Sequence, residues 1–134
     1  MVRTVDDTIT AFHGRFTVLD VDGMSDVIDL DPAPNRVVAG DNGLNVDGVS
    51  VDAPKVTFQL WDGEPEVQRN FRDPVDVVMQ SSSGKVYLVN IFGDGDEEDA
   101  IDLGREDSSW NVRVSFGITS SEDEAYLIQF WPTS

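Results

Sequence analysis

The chain has 134 residues and no cysteine, with 40% hydrophobic and 9% aromatic residues. That length supports one domain, residues 1–134, with a real core, and the lack of cysteine excludes disulfides, thiolate metal sites and cysteine nucleophiles. Asp and Glu number 26 against 9 Lys and Arg, a formal net charge of -17, which argues against nucleic acid or anionic lipid as partners and for cationic ones.

Residues 1–7 contain no apolar stretch, which predicts a loose end and no signal peptide. No run of about 18 apolar residues occurs anywhere, so no membrane span is expected. Together with the absence of cysteine this fits a cytoplasmic protein. Residues 8–21 read as one long strand or two short ones. Ile9 and Ala11 share one phase, Phe12, Phe16 and Val18 the other, and the nearby Gly14 fits a bulge or bend. His13, the only histidine, reads as a half-exposed structural residue, with no Ser or Cys motif beside it.

Residues 20–35 are an Asp-rich loop, with Val27, Ile28 and Leu30 as candidate pins to the body. Residues 37–39 form a short strand. Asp41-Asn42-Gly43 is a strong turn signal, because Asn and Gly tolerate positive φ. Residues 44–51 read as an edge strand, rich in Asn and Asp. Val56, Phe58 and Leu60 alternate with Thr57, Gln59 and Trp61 in a clear strand that ends at Asp62-Gly63-Glu64-Pro65. Residues 66–74 are a charged connection in which Phe71 is free to fold back on the core.

Val75, Val77 and Met79 mark another strand, and Ser81-Ser82-Ser83-Gly84 a flexible turn. Residues 85–92 are apolar on both phases and predict a central strand. Residues 94–107 are an acidic loop with Ile101 and Leu103 as anchors. The clearest pattern closes the chain. Trp110, Val112, Val114, Phe116 and Ile118 alternate with Asn111, Arg113, Ser115 and Gly117. After a polar turn at 119–124, Tyr126, Ile128 and Phe130 alternate with Leu127, Gln129 and Trp131. This is an antiparallel hairpin, and its second strand, apolar on both faces, should be central. The count is about eight strands without sustained helical periodicity. The expected class is all-β, an antiparallel two-layer β-sandwich.

The acidic loop holds eight carboxylates against Arg105 alone. It admits three readings. A charge run is usually a solvated face. Clustered charge can also be a recognition surface for a basic protein, since it steers association over long range. The i, i+2, i+4 spacing of Asp94, Asp96 and Glu98 suggests calcium, but counting from Asp94 the EF-hand pattern needs glycine sixth and glutamate twelfth. Asp99 and Arg105 stand there. Asp20, Asp22, Asp26, Asp29 and Asp31 form a second acidic group, whose position relative to the first is open. Trp61 reads either as a rim core residue or as an exposed anchor for a partner or sugar ring. No nucleophile elbow, phosphate loop, dinucleotide fingerprint or zinc-type histidine pair is present. Paired carboxylates for glycoside chemistry lack a cleft signature. No enzyme activity, cofactor or metal site is therefore expected.

Several segments together resemble a known family. They are Phe12-His13-Gly14-Arg15-Phe16-Thr17-Val18 before an Asp-rich loop, Ala39-Gly40-Asp41-Asn42-Gly43-Leu44, Val56-Thr57-Phe58-Gln59-Leu60, Pro74-Val75-Asp76-Val77-Val78, and the closing hairpin over 110–116 and 125–131. In the order of its elements the chain resembles the DNA-entry nuclease inhibitor family (ComJ, also called Nin), small acidic cytoplasmic β-proteins that bind and block a competence nuclease. The resemblance implies an inhibitor or immunity-type protein acting on a nuclease. The resulting expectation is a non-catalytic binding protein for a basic partner. Asp94, Asp96, Glu97, Glu98, Asp99 and Asp102 would supply charge, and Trp61 an apolar anchor. The alternatives are a calcium- or carbohydrate-binding sandwich module, and a salt-adapted domain with no charge-specific role.

Overall fold

The computed structural model describes residues 2–11, 14–32, 34–66, 68, 70–118 and 124–133. His13 and residues 119–123 of the expected hairpin turn lie outside them. Among the described residues there are ten strands: β1 (Arg3–Thr8), β2 (Arg15–Asp20), β3 (Val37–Gly40), β4 (Gly43–Asp47), β5 (Lys55–Leu60), β6 (Phe71–Ser81), β7 (Lys85–Val89), β8 (Ile101–Asp102), β9 (Ser108–Ile118) and β10 (Glu124–Pro132). They form two five-stranded sheets. Sheet I has the order β1-β5-β10-β9-β6 and sheet II the order β3-β4-β2-β7-β8. Pairing is antiparallel except between β5 and β10, which run parallel with Phe58 opposite Ile128. No helix among the described residues is long and apolar enough to cross a membrane.

The fold is the expected all-β sandwich, with two more strands than the sequence pattern suggests. Residues 3–8 are not a loose end. They pair with β5 as the edge of sheet I, Val5 opposite Phe58. β8 is the other addition, two residues pairing with Lys85 and Val86. β4 is not an edge, because β3 covers it. β6 begins at Phe71, inside the expected connection, and its register shifts between Arg72 and Val75. Asp73 takes a left-handed conformation there, φ 53, which lets an extra residue bulge out before pairing resumes.

β10 is central, and every residue from Glu124 to Trp131 along it is buried. Its inward residues Tyr126, Ile128 and Phe130 meet Phe16, Val18, Leu44 and Leu88 of sheet II in one core. Phe16 packs edge-on to Tyr126 at 5.3 Å between centroids, and Phe58 lies 6.0 Å from Phe130. Each such buried side chain contributes about 1.5–3 kcal/mol. The outward face of sheet I is crossed by the 61–70 connection, which must pass from β5 over β10 and β9 to reach β6. The outward face of sheet II carries a second, smaller apolar cluster of Leu19, Val27, Ile28, Tyr87 and Val89.

Candidate functional site

That second cluster is where the two acidic groups come together. A short 3-10 turn, Ser25–Asp29, supplies Val27 and Ile28 from one side. The segment after β7 supplies Ile91 and Ala100 from the other. Each loop is pinned by its apolar residues, as their placement in the sequence predicts, and turns its carboxylates to solvent. Asp22, Asp26 and Asp29 are exposed on the first loop, and Asp94, Asp96, Glu97, Glu98, Asp99 and Asp102 on the second. Both loops thus pack on one cluster, with Asp94, Asp96 and Asp99 of the second beside the β1 edge of sheet I.

The 90–102 segment is a fixed edge and not a free loop. Asn90 closes its first turn, its Oδ1 accepting from the backbone N–H of Phe92 at 2.9 Å and of Asp94 at 3.2 Å. Gly95 then forms a bridge with Val89. A Cβ at Gly95 would overlap the Leu88 carbonyl oxygen, so only glycine lets the chain lie this close to β7. Asp96 caps the next 3-10 turn, Glu97–Asp99, its Oδ1 accepting from the Glu98 N–H at 3.0 Å. Ile101 and Leu103 then enter the main core, 1% and 3% exposed.

On this platform none of the six predicted carboxylates forms an ion pair among the described residues. The ion pairs found are Arg15–Asp47, at the base of the first loop, and Arg113–Glu64 and Arg113–Asp76, on sheet I. Tyr87 donates to Glu97 at 3.4 Å, and burial followed by the Glu97 charge pushes its phenol up. β1 adds a carboxylate that the sequence did not point to. Asp7 lies beside the segment, lining with Asp94, Asp96 and Asp99 a cleft of about 290 Å³. Burial pushes the Asp7 carboxyl up, the Thr8 N–H opposes this, and the charges of Asp99 and Asp96 push it up further. No group of three or more Asp, Glu or His side chains among the described residues is arranged to hold a metal ion.

Asp20 stands apart from its acidic neighbours. It is fully buried and ties β2 to the β6–β7 turn. Its carboxylate accepts from Ser81 Oγ at 2.5 Å, Ser83 Oγ at 2.7 Å, and the backbone N–H groups of Asp22 at 2.8 Å and Ser83 at 3.1 Å. Burial alone would raise its pKa. The hydrogen bonds from Ser81, Ser83 and Asp22 outweigh that and hold it below the ordinary carboxylate value. Arg15 is the clamp of the first loop. It grips Asp47 through two nitrogens at 2.6 and 2.9 Å and donates to the Ile28 and Leu30 carbonyls at 2.6 and 2.7 Å.

Trp61 is not part of this face. It lies half-buried at the end of β5 on the outer side of sheet I, its Nε1 donating to Gln59 Oε1 at 3.0 Å. The apolar residues that do accompany the carboxylates are Met24, 74% exposed, and Phe92, 65% exposed. Each lies beside one of the two acidic groups. The sequence pattern puts Phe92 inside a central strand over 85–92, but β7 ends at Val89 and Phe92 falls in the turn that follows; Met24 gave no signal within its loop.

No family model matches the chain, and no curated protein matches it. Two solved structures share its fold along nearly its whole length. One is the crystal structure of ComJ, inhibitor of the DNA degrading activity of NucA, from Bacillus subtilis. It has a TM-score of 0.79 and 13% identity, covering 99% of each chain. The other is described as crocagin biosynthetic gene J, with a TM-score of 0.69 and 10% identity, covering 98% of each chain. The chain therefore has a ComJ-like fold.

Proposed function

We propose, on the premise of a ComJ-like fold, that this chain is a non-catalytic, cytoplasmic binding protein that inhibits or neutralises a basic partner, most simply a nuclease. The observation that carries the reading is the outer face of sheet II. Two separate acidic loops are pinned over one apolar cluster, and their exposed carboxylates form no ion pair among the described residues. Convergent unpaired charge of one sign raises the rate at which an oppositely charged surface docks, by roughly 10- to 1000-fold at low salt. A nuclease groove that holds phosphates is cationic or metal-loaded, so a rigid array of carboxylates can occupy it in place of nucleic acid. The ComJ structure's description as an inhibitor of the DNA degrading activity of NucA supports the same class of role.

The test uses this protein as bait in lysate of its source cells, at about 50 mM and about 500 mM salt, concentrations on either side of physiological screening. Eluates are assayed for nuclease activity with and without added protein. The reading predicts one basic nuclease, held at low salt, weakened at high salt and inhibited on titration. Capture of no nuclease at either salt concentration contradicts it.

A further inference from the structure

A second feature lies at the sandwich edge where β3 faces β6. A cleft of about 350 Å³ opens between the two sheets there, within the range of small-molecule sites. Its floor is apolar and comes from both sheets: Val37 and Val46 from one, Val75, Val114, Phe116 and Tyr126 from the other. Arg36 lines it on the β3 side and Asp73 on the β6 side, and the third charged residue there, Asp47, is already held by Arg15. The two do not pair with each other, and neither forms an ion pair among the described residues. Both also have left-handed backbones, φ 73 for Arg36 and 53 for Asp73. The β6 bulge that carries Asp73 forms one rim of the cleft.

We infer that this cleft binds a small zwitterion with an apolar side chain, the chemistry of a free apolar α-amino acid. The carboxylate goes to the Arg36 guanidinium, which suits it by charge and by its forked donors. The ammonium goes to the Asp73 carboxylate. The side chain enters the apolar floor, where removal from water supplies most of the attraction. A ligand with one charge leaves one rim residue unanswered, and an uncharged peptide-like group leaves both.

The test is a thermal-shift and calorimetric comparison of four probes on the whole protein: L-phenylalanine, phenethylamine, 3-phenylpropionate and N-acetyl-phenylalaninamide. A ligand that binds only the native state raises its melting temperature. Phenylalanine is expected to bind, with each one-charge analogue roughly tenfold weaker. Asparagine accepts the left-handed region more readily than most residues, so Arg36→Asn and Asp73→Asn remove each charge without adding strain. Arg36→Asn is expected to erase the preference for phenylalanine over phenethylamine, and Asp73→Asn its preference over 3-phenylpropionate. The inference is overturned if phenylalanine gives no shift, if N-acetyl-phenylalaninamide binds as tightly, or if either variant, folded by its own melting curve, keeps the preference it should lose.

Discussion

The two outer faces of the sandwich cover their sheets in opposite ways. On sheet I one connection crosses the strands, and the charges there answer one another. Arg113 pairs with Asp76 at 2.8 Å and Glu64 at 3.4 Å, donates to the Pro65 carbonyl, and lies 5.1 Å over the Trp131 ring. On sheet II two loops close over a small apolar cluster and leave their carboxylates without an ion pair among the described residues. Charge on the first face is used to hold the molecule together. On the second, apolar contacts, backbone turns and the Arg15 clamp do the holding, which leaves the surface charge available to a partner.

Breaking the clamp gives the largest expected effect. Arg15→Leu strands the Asp47 carboxylate and frees the Ile28 and Leu30 carbonyls, at a cost of about 3–5 kcal/mol. Denaturant unfolding measures the loss, and hydrogen exchange should show the 25–30 segment opening first. Asp20→Asn is next, at roughly 1.5–3 kcal/mol for hydrogen bonds to a buried charge. Its pH signature is specific. The folded Asp20 value lies below the unfolded one, so its stabilisation is complete above the ordinary value of 3.8 and is lost as pH falls through the folded value. The variant should therefore flatten the acid limb of the melting curve below that point.

Gly95→Ala pushes the acidic segment off β7, at about 1–3 kcal/mol for forced displacement in a packed region. It is expected to weaken partner binding more than its loss of stability explains, because the carboxylates move with the segment. Arg113→Ala acts on the other face. Its two carboxylate partners are exposed, so about 1 kcal/mol is expected, with partner binding unchanged. Asp7→Asn is the smallest and has the opposite sign. The folded Asp7 value is raised, first by burial, so its favourable contribution is present below 3.8 and lost as pH rises through the folded value. Removing the charge should slightly raise the melting temperature at pH 7.

Much of the fold was legible because alternation reports a half-buried strand directly. The β9–β10 hairpin was readable for that reason, and so was the central place of β10, whose Leu127, Gln129 and Trp131 are as buried as Tyr126, Ile128 and Phe130. β1 was not, since Val5 is its one inward aliphatic residue among Arg, Thr and Asp. β8 is too short to have a period. The start of β6 was hidden by Pro74 and by the bulge at Asp73, which break the alternation locally. The acidic residues were legible as charge, and Ile101, Leu103, Val27 and Ile28 as anchors. That the two loops pack on one cluster depends on β2 and β7 being neighbours, a long-range pairing that local pattern does not encode. The same holds for Asp7 and for the placing of Arg36 and Asp73 on one cleft.

On the proposed function, sheet II carries the binding face by its placement of charge, not by net charge alone. Two variants that each lose four negative charges separate these, compared by their affinity for the nuclease. One carries Asp94→Asn, Asp96→Asn, Glu97→Gln and Glu98→Gln, where the amide oxygen introduced at position 96 still caps its turn. The other carries Asp62→Asn, Glu64→Gln, Glu66→Gln and Asp76→Asn on the face of sheet I. The first should lose at least roughly tenfold in affinity, with a flatter salt dependence, while the second binds nearly as the parent does. Equal losses in both would mean that net charge and not its placement drives binding, and no loss in the first would contradict the placement.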